Sequence, residues 1–192
     1  MKPEITAPGG SIYSLEGTMF EPDAYTYMSG TSMASPQVAG LTALVKQYLE
    51  EQKLSQPGLT NRALTQSLLM STAEPMLEEA SGYYYSILRQ GAGLAAVDQA
   101  IGAASYILVD GQPDGKVKAE LGDDPERTGT YDFSFTLYNL TEEEQTYDLS
   151  VDLFTQDVYH EDQASYMDTI TTPLLTSALW PVDGKPLHPG QD

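Results

Sequence analysis

Gly30-Thr31-Ser32-Met33-Ala34-Ser35-Pro36-Gln37-Val38-Ala39-Gly40 is the stretch on which the reading of this chain turns. It puts a hydroxyl where a glycine-containing turn meets the start of a helix. From Ser32 to about Gln52 the only glycine is Gly40, and Val38, Leu41, Leu44, Val45, Tyr48 and Leu49 recur at helical spacing. Pro36 is expected in the first turn, where a missing N–H is no loss. Ala34, Ala39, Gly40 and Ala43 are small, so other backbone can approach this helix closely. A helix start offers unpaired N–H groups and a partial positive charge. An oxyanion formed by attack of Ser32 on a carbonyl could be held by such donors, the N–H of Ser32 among them. A serine at a helix start is equally an ordinary N-cap, and the geometry alone leaves both readings open.

Upstream, Pro3, Pro8, Gly9 and Gly10 punctuate turns, and Thr26-Tyr27-Met28 is a brief β-prone run leading to Ser29-Gly30. Downstream, Gln56-Pro57-Gly58 ends the first helical pattern. A second helix is expected from near Thr60, a suitable N-cap, through Leu64, Leu68 and Leu69 towards Ala73. A loop containing Pro75 and Gly82 follows. Gly91-Ala92-Gly93 then leads into a short third helix from about Leu94 to Ala104.

Beyond residue 105 the pattern changes to period two. Val117 to Leu121, Tyr131 to Leu137 and Tyr147 to Leu153 alternate apolar and polar residues between Gly- and Asn-rich turns, at the spacing of a β-sandwich. The polar stretch from Pro181 to Asp192 reads as a turn, and the second domain is expected to be cut short there.

The eleven-residue string closely resembles the active-site serine signature of the subtilisin-like serine peptidases (family S8), in which Gly-Thr-Ser-Met-Ala-Ser-Pro precedes an apolar buried helix. Lys2 to Gly10 resembles the segment before that serine, and Tyr25-Tyr27-Met28-Ser29 matches its approach strand. Leu64 to Thr72 is similar to the next helix of the family, and Gln90-Gly91-Ala92-Gly93-Leu94 with Val97 to its closing segment. The likeness runs in order through about residues 2–104. It implies an α/β fold in which 1–105 is the C-terminal part of a parallel-sheet peptidase domain, with Ser32 as nucleophile. Gln37 departs from the pattern, since many members carry histidine there; it is not the catalytic base. Residues 106–192 resemble the fibronectin-III-like domain of cell-envelope proteinases of the lactocepin and C5a-peptidase type, through Tyr131 to Leu140 and Gln145 to Leu153. That likeness implies an extracellular or cell-wall location and protein or peptide substrates.

The same resemblance shows what this chain does not hold. In the subtilisin order Asp and His precede Ser. Only 31 residues precede Ser32, none of them histidine, and the first asparagine is Asn61, so the side-chain donor of the oxyanion hole is also missing upstream. The Asp and His are expected from an upstream part of the same polypeptide, and the chain by itself is expected to be inactive. The competing reading is a non-catalytic remnant, acting as a binding or structural module through its β domain. Either way, the first helix would have lost much of its burial partner, and the isolated chain is expected to oligomerise or to fold poorly over 1–105.

Composition narrows the classes further. With 9 Lys+Arg against 28 Asp+Glu the formal charge is −19, which repels phosphate backbones and anionic lipid. Nucleic acid is excluded as a partner. The charge is uneven, about −5 over 1–105 and about −14 over 106–192, as expected of a boundary near 105. There are no cysteines, hence no disulfide or thiolate metal site. No stretch approaches the ~20 apolar residues that span a bilayer, and Met1-Lys2-Pro3-Glu4 does not read as a signal peptide. An export signal is therefore expected outside this chain.

The remaining features read as structural. His160, among Asp157, Glu161 and Asp162, and His188 are expected to be solvated loop histidines without ligand spacing. Asp123-Asp124 and Glu142-Glu143-Glu144 are expected to be solvated turns, with structural calcium the alternative; no other cofactor is expected. Met33 either presents its thioether to oxidants beside the nucleophile or merely packs. Tyr83-Tyr84-Tyr85 either anchors its loop on the core or forms a binding platform.

Overall fold

The computed structural model describes residues 3–17, 23–112 and 116–149 in full, and the backbone alone of 153–161 and 164–175. The order of elements is β1 (Ile12–Leu15), β2 (Tyr25–Met28), α1 (Thr31–Glu51), α2 (Asn61–Ser71), α3 (Ile87–Gln90), α4 (Val97–Gly102), β3 (Ser105–Val109), β4 (Phe135–Asn139), β5 (Leu153–Glu161) and β6 (Ala164–Leu175).

The core forms where the apolar rows of three helices meet one strand. Val45 and Leu49 of α1, Leu64, Leu68 and Leu69 of α2, and Ala100 of α4 pack with Tyr106 and Leu108 of β3. α2 starts at Thr60, whose hydroxyl accepts from the Ala63 N–H at 3.2 Å. That cap satisfies one of the otherwise orphaned donors of the first turn. Ser67 is fully buried and donates its hydroxyl to the Ile107 carbonyl at 3.0 Å, fixing β3 on α2. The helical core thus continues past residue 105 into β3. Tyr106 is buried against Tyr138 of β4, with ring centroids 5.1 Å apart.

A weave of three segments ties the chain's start to residues 74–95. Thr6 N–H donates to the Gly93 carbonyl at 2.8 Å, and Ala95 N–H to the Thr6 carbonyl at 2.9 Å. Glu74 and Leu94 exchange bonds of 3.0 and 2.8 Å. Gly91 (φ +62) and Gly93 (φ +121) sit where a Cβ would run into the backbone of Glu4 and Glu74 respectively. Glycine at those two positions is therefore a packing requirement as much as a conformational one.

The sheets differ from the expected ones. Among the described residues there are three two-stranded sheets, β1–β2, β3–β4 and β5–β6, all antiparallel. Parallel pairing is confined to the isolated Thr6–Leu94 bridge. No fibronectin-III-like sandwich is formed among the described residues. Val117 to Leu121 forms no strand, and of the Tyr131–Leu137 run only the end enters β4, which continues to Asn139. Tyr147 to Leu149 is unpaired, Ser150 to Asp152 lies outside the described residues, and β5 begins at Leu153. Alternation supplies an apolar face but no partner for it, and a strand needs both. Tyr131, Phe133 and Leu149 accordingly remain exposed. The backbone of His160 lies in β5, paired with Ser165, rather than in a loop; His188 lies outside the described residues.

α1 also starts earlier than its pattern suggests. It begins at Thr31, so Pro36 falls inside the helix in its second turn. The missing N–H then leaves the Ser32 carbonyl without its helical donor. One face of α1 is open: Ser32, Ser35, Pro36, Ala39, Gly40 and Ala43 are exposed, and Leu44 is 53% exposed.

Candidate functional site

β1 and β2 form a hairpin with Ile12 opposite Met28, Tyr13 opposite Tyr27 and Ser14 opposite Thr26. Period two divides it into two faces. Tyr13, Tyr25 and Tyr27 form an exposed stack, with Tyr13 5.3 and 4.8 Å from the other two rings. The other face, Ile12, Ser14, Thr26 and Met28, joins Ser32, Met33, Pro36 and Gln37 around a hollow of about 380 Å³.

The turn between β2 and α1 depends on Gly30, whose φ of 152° and ψ of 168° lie where a side chain is disfavoured. Its N–H donates to the Gly9 carbonyl at 2.7 Å. The Ser11 N–H donates to the Ser29 hydroxyl at 2.8 Å. Ser32 is the second residue of α1 and is exposed. The Gly30 carbonyl receives the N–H groups of Met33 (3.0 Å) and Ala34 (3.4 Å), so the Thr31 and Ser32 N–H groups are the donors for which the helix has no acceptor. They project at the positive end of a 21-residue helix, beside the serine hydroxyl. Gly30 is the N-cap residue and caps without a side chain, so Ser32 is not an N-cap serine. The Ser32 hydroxyl makes no hydrogen bond to another described residue.

Met33 is half-buried and contributes to the hollow. Two glutamines whose roles the sequence does not advertise hold the surroundings. The Gln37 side-chain amide donates to the carbonyls of Pro8 (2.6 Å) and Met33 (3.2 Å). Gln90 is buried; it donates to the Tyr85 carbonyl at 2.6 Å and accepts from the Met76 N–H at 2.6 Å. The backbone of the Tyr83–Tyr85 loop is thereby fastened to Gln90, while the Tyr83 ring stays exposed. A glutamine carries one donor group and one acceptor, so nothing in composition marks which glutamine will serve as a hub.

In the Asp123-Asp124 pair, Asp124 is engaged within its own turn. The Asp124 carboxylate accepts from the Gly129 N–H at 2.6 Å and the Thr128 hydroxyl at 3.2 Å. The backbone N–H of Gly129 and then that of Thr128 hold its carboxyl below the ordinary range. Among the described residues no three His, Asp or Glu side chains converge as metal ligands, and no helix is long and apolar enough to cross a membrane.

The sequence that builds this geometry is shared with known proteins. The model of the subtilase family of peptidases matches residues 1–103. The chain is 36% identical over 173 residues to a PII-type proteinase of Lacticaseibacillus paracasei, covering 82% of this chain and 8% of that protein. It is 37% identical over 171 residues to a PI-type proteinase of Lactococcus lactis subsp. cremoris, with the same 82% and 8% coverage. A C5a peptidase of Streptococcus pyogenes is 30% identical over 145 residues, or 76% of this chain and 12% of that protein. The chain thus spans about a tenth of the curated relatives it matches. The match covers the Ser32 turn, the capped α2 and the Gly91–Gly93 weave alike: the chain belongs to the subtilase family.

Proposed function

We propose that this chain is the nucleophile-bearing C-terminal part of a serine endopeptidase domain, with Ser32 attacking peptide bonds of protein substrates. The observation that carries the reading is the placement of Ser32: an exposed hydroxyl on the second residue of α1, beside two N–H groups without helical acceptors, facing a 380 Å³ hollow. A histidine supplied by the upstream part of the polypeptide takes the Ser32 proton as the Oγ–carbon bond forms, and an aspartate orients it. The carbonyl electron pair moves to oxygen, where the Ser32 N–H helps to hold the oxyanion. Collapse returns the proton to the departing amine and leaves an acyl-serine, which water cleaves by the reverse steps. No metal or cofactor enters this sequence.

The reading extends to the rest of the chain. A hollow of about 640 Å³ between the initial segment and α1 presents Ile5, Ala7, Ala34 and Val38, an apolar surface suited to the remainder of a parallel-sheet domain. Residues 1–105 are the peptidase part and 106–192 a fibronectin-III-like part of an extracellular or cell-wall protein. Alone, the chain does not hydrolyse peptides. A fluorophosphonate probe tests this: the complete parent protein is labelled at Ser32, and Ser32→Ala abolishes labelling and lowers kcat by several powers of ten. Full peptidase activity in that variant would sink the proposal. The second reading, a non-catalytic module, draws on the Ser32 hydroxyl having no base among the described residues; it expects no labelling even in the complete protein.

A further inference from the structure

We propose that Gln37 is a positioning residue for Ser32, pinning the start of α1 to the Pro8–Ser11 segment so that the nucleophile keeps one orientation. The inference rests on Ser32 being the nucleophile, and deepens that reading. It starts from a weakness in the helix. Pro36 lies inside α1, so the Ser32 carbonyl has no helical N–H to receive it, and the turn that carries the hydroxyl is one bond short. The N-cap is a glycine with no side chain to lock the entry. Left to itself, this first turn would fray.

What holds it reaches from the helix to the segment outside it. Both hydrogens of the Gln37 amide are used, one on the Pro8 carbonyl at 2.6 Å and one on the Met33 carbonyl at 3.2 Å. Met33 is the residue next to Ser32, so the amide grips the turn immediately after the nucleophile. The same short segment grips the turn immediately before it, through the Gly30–Gly9 bond of 2.7 Å and the Ser11–Ser29 bond of 2.8 Å. Contact between the two segments is close: a Cβ on Gly9 would lie 2.8 Å from the Gly30 carbonyl oxygen and 3.3 Å from the Ala34 Cβ. Ser32 is thus held between two fixed points, and Gln37 supplies the one on its helical side. Position matters because a reacting atom displaced by about 1 Å costs on the order of a hundredfold in rate.

The chemistry dictates the variants. Gln37→Met keeps the length and removes both donors. Gln37→Glu keeps the shape and sets a carboxylate against two carbonyl oxygens. Gln37→His retains an N–H donor at similar reach. The experiment uses the complete parent protein and reads four quantities: kcat, KM, the second-order rate of fluorophosphonate labelling, and the melting temperature.

In Gln37→Met, kcat and the labelling rate fall together by about tenfold to a hundredfold, while KM and melting stay close to the parent values. Gln37→His recovers most of the loss. Wild-type labelling and kcat in Gln37→Met would overturn the inference. So would a loss matched by a collapse in melting temperature, or failure of both the Met and Glu variants to fold, since the residue would then hold the domain rather than the nucleophile. Ser32→Ala separates the two levels: persistent labelling in that variant refutes the assignment of the nucleophile, whereas its loss alongside an unaffected Gln37→Met refutes only the positioning role.

Discussion

Replacing Gly40 by alanine should strengthen α1 in this chain and weaken it in the complete parent protein. Gly40 stands in the middle of a 21-residue helix, and a Cβ added there meets nothing within 4 Å. Its backbone is not among those with positive φ, so alanine fits without strain. Glycine costs a helix interior about 1 kcal/mol relative to alanine, through the freedom it gives the unfolded chain. About 1 kcal/mol multiplies the protection of the surrounding amides by about fivefold where local opening governs exchange. The measurement is hydrogen exchange of the α1 amides after Gly40. In the parent the sign should invert, because backbone closing on the Ala39–Gly40–Ala43 face would meet the new methyl at a cost of about 1–3 kcal/mol. A fall in protection in this chain would refute the reasoning, by showing that the face is already covered, for instance by a second copy. A rise in both proteins would instead show that nothing in the parent closes on this open face of α1.

Three further outcomes follow from the packing. Gly93→Ala should destabilise by about 3 kcal/mol or more in chemical denaturation, since φ of +121° disfavours alanine and the methyl would part Glu74 from Leu94. Gly102→Ala, where a Cβ meets nothing within 4 Å, is the control and should be near neutral. Tyr106→Phe should leave stability unchanged or raise it by about 1–2 kcal/mol, because the Tyr106 hydroxyl is buried without a partner. Burial, then the neighbouring Tyr138, pushes the Tyr106 hydroxyl up to about 12 from 10.0. Ionisation is then easier in the unfolded chain than in the fold, so stability is unaffected below pH 10 and falls as pH rises towards about 12; alkaline melts of the wild type should fall in that window and flatten in the variant. Asp124 is lowered by the Gly129 N–H, so the hold on its turn is complete above the ordinary carboxylate range and lost as pH falls through the depressed value. The Gly129 amide resonance should move over that acid range, and remain still in Asp124→Asn.

The parts legible in the sequence were those where one residue type decides the geometry. Gly30 before Ser32 and Gly91 with Gly93 mark places where another residue would strain or clash, and Thr60 ahead of an apolar row marks one where a side-chain oxygen must cap. β3 was hidden because Tyr106 to Val109 is a continuous apolar run, which periodicity cannot assign to strand or helix. Pro36 sits one turn deeper than its pattern implied, because α1 starts at Thr31 without a side-chain cap to announce it. Over 117–121 and 147–153 the reason is the opposite: the alternation is there, but among the described residues neither 117–121 nor 147–149 forms a strand, and β5 takes up only Leu153. Gln37 gives no sign of its role in the sequence, since its two acceptors are backbone carbonyls, one of them 29 positions away, and carbonyls leave no trace in composition.

The weave that joins Thr6 to Gly93 and Ala95 also sets a clock on biosynthesis. A ribosome adds about 5–20 residues per second, so Ala95 follows Thr6 by on the order of 5–20 s. Until then the segment that braces the nucleophile has no anchor for its own first residues, and the turn at Gly30 can form only transiently. The brace around Ser32 is therefore completed only once the chain as far as Ala95 has been made, and the helix that bears the hydroxyl must wait for it.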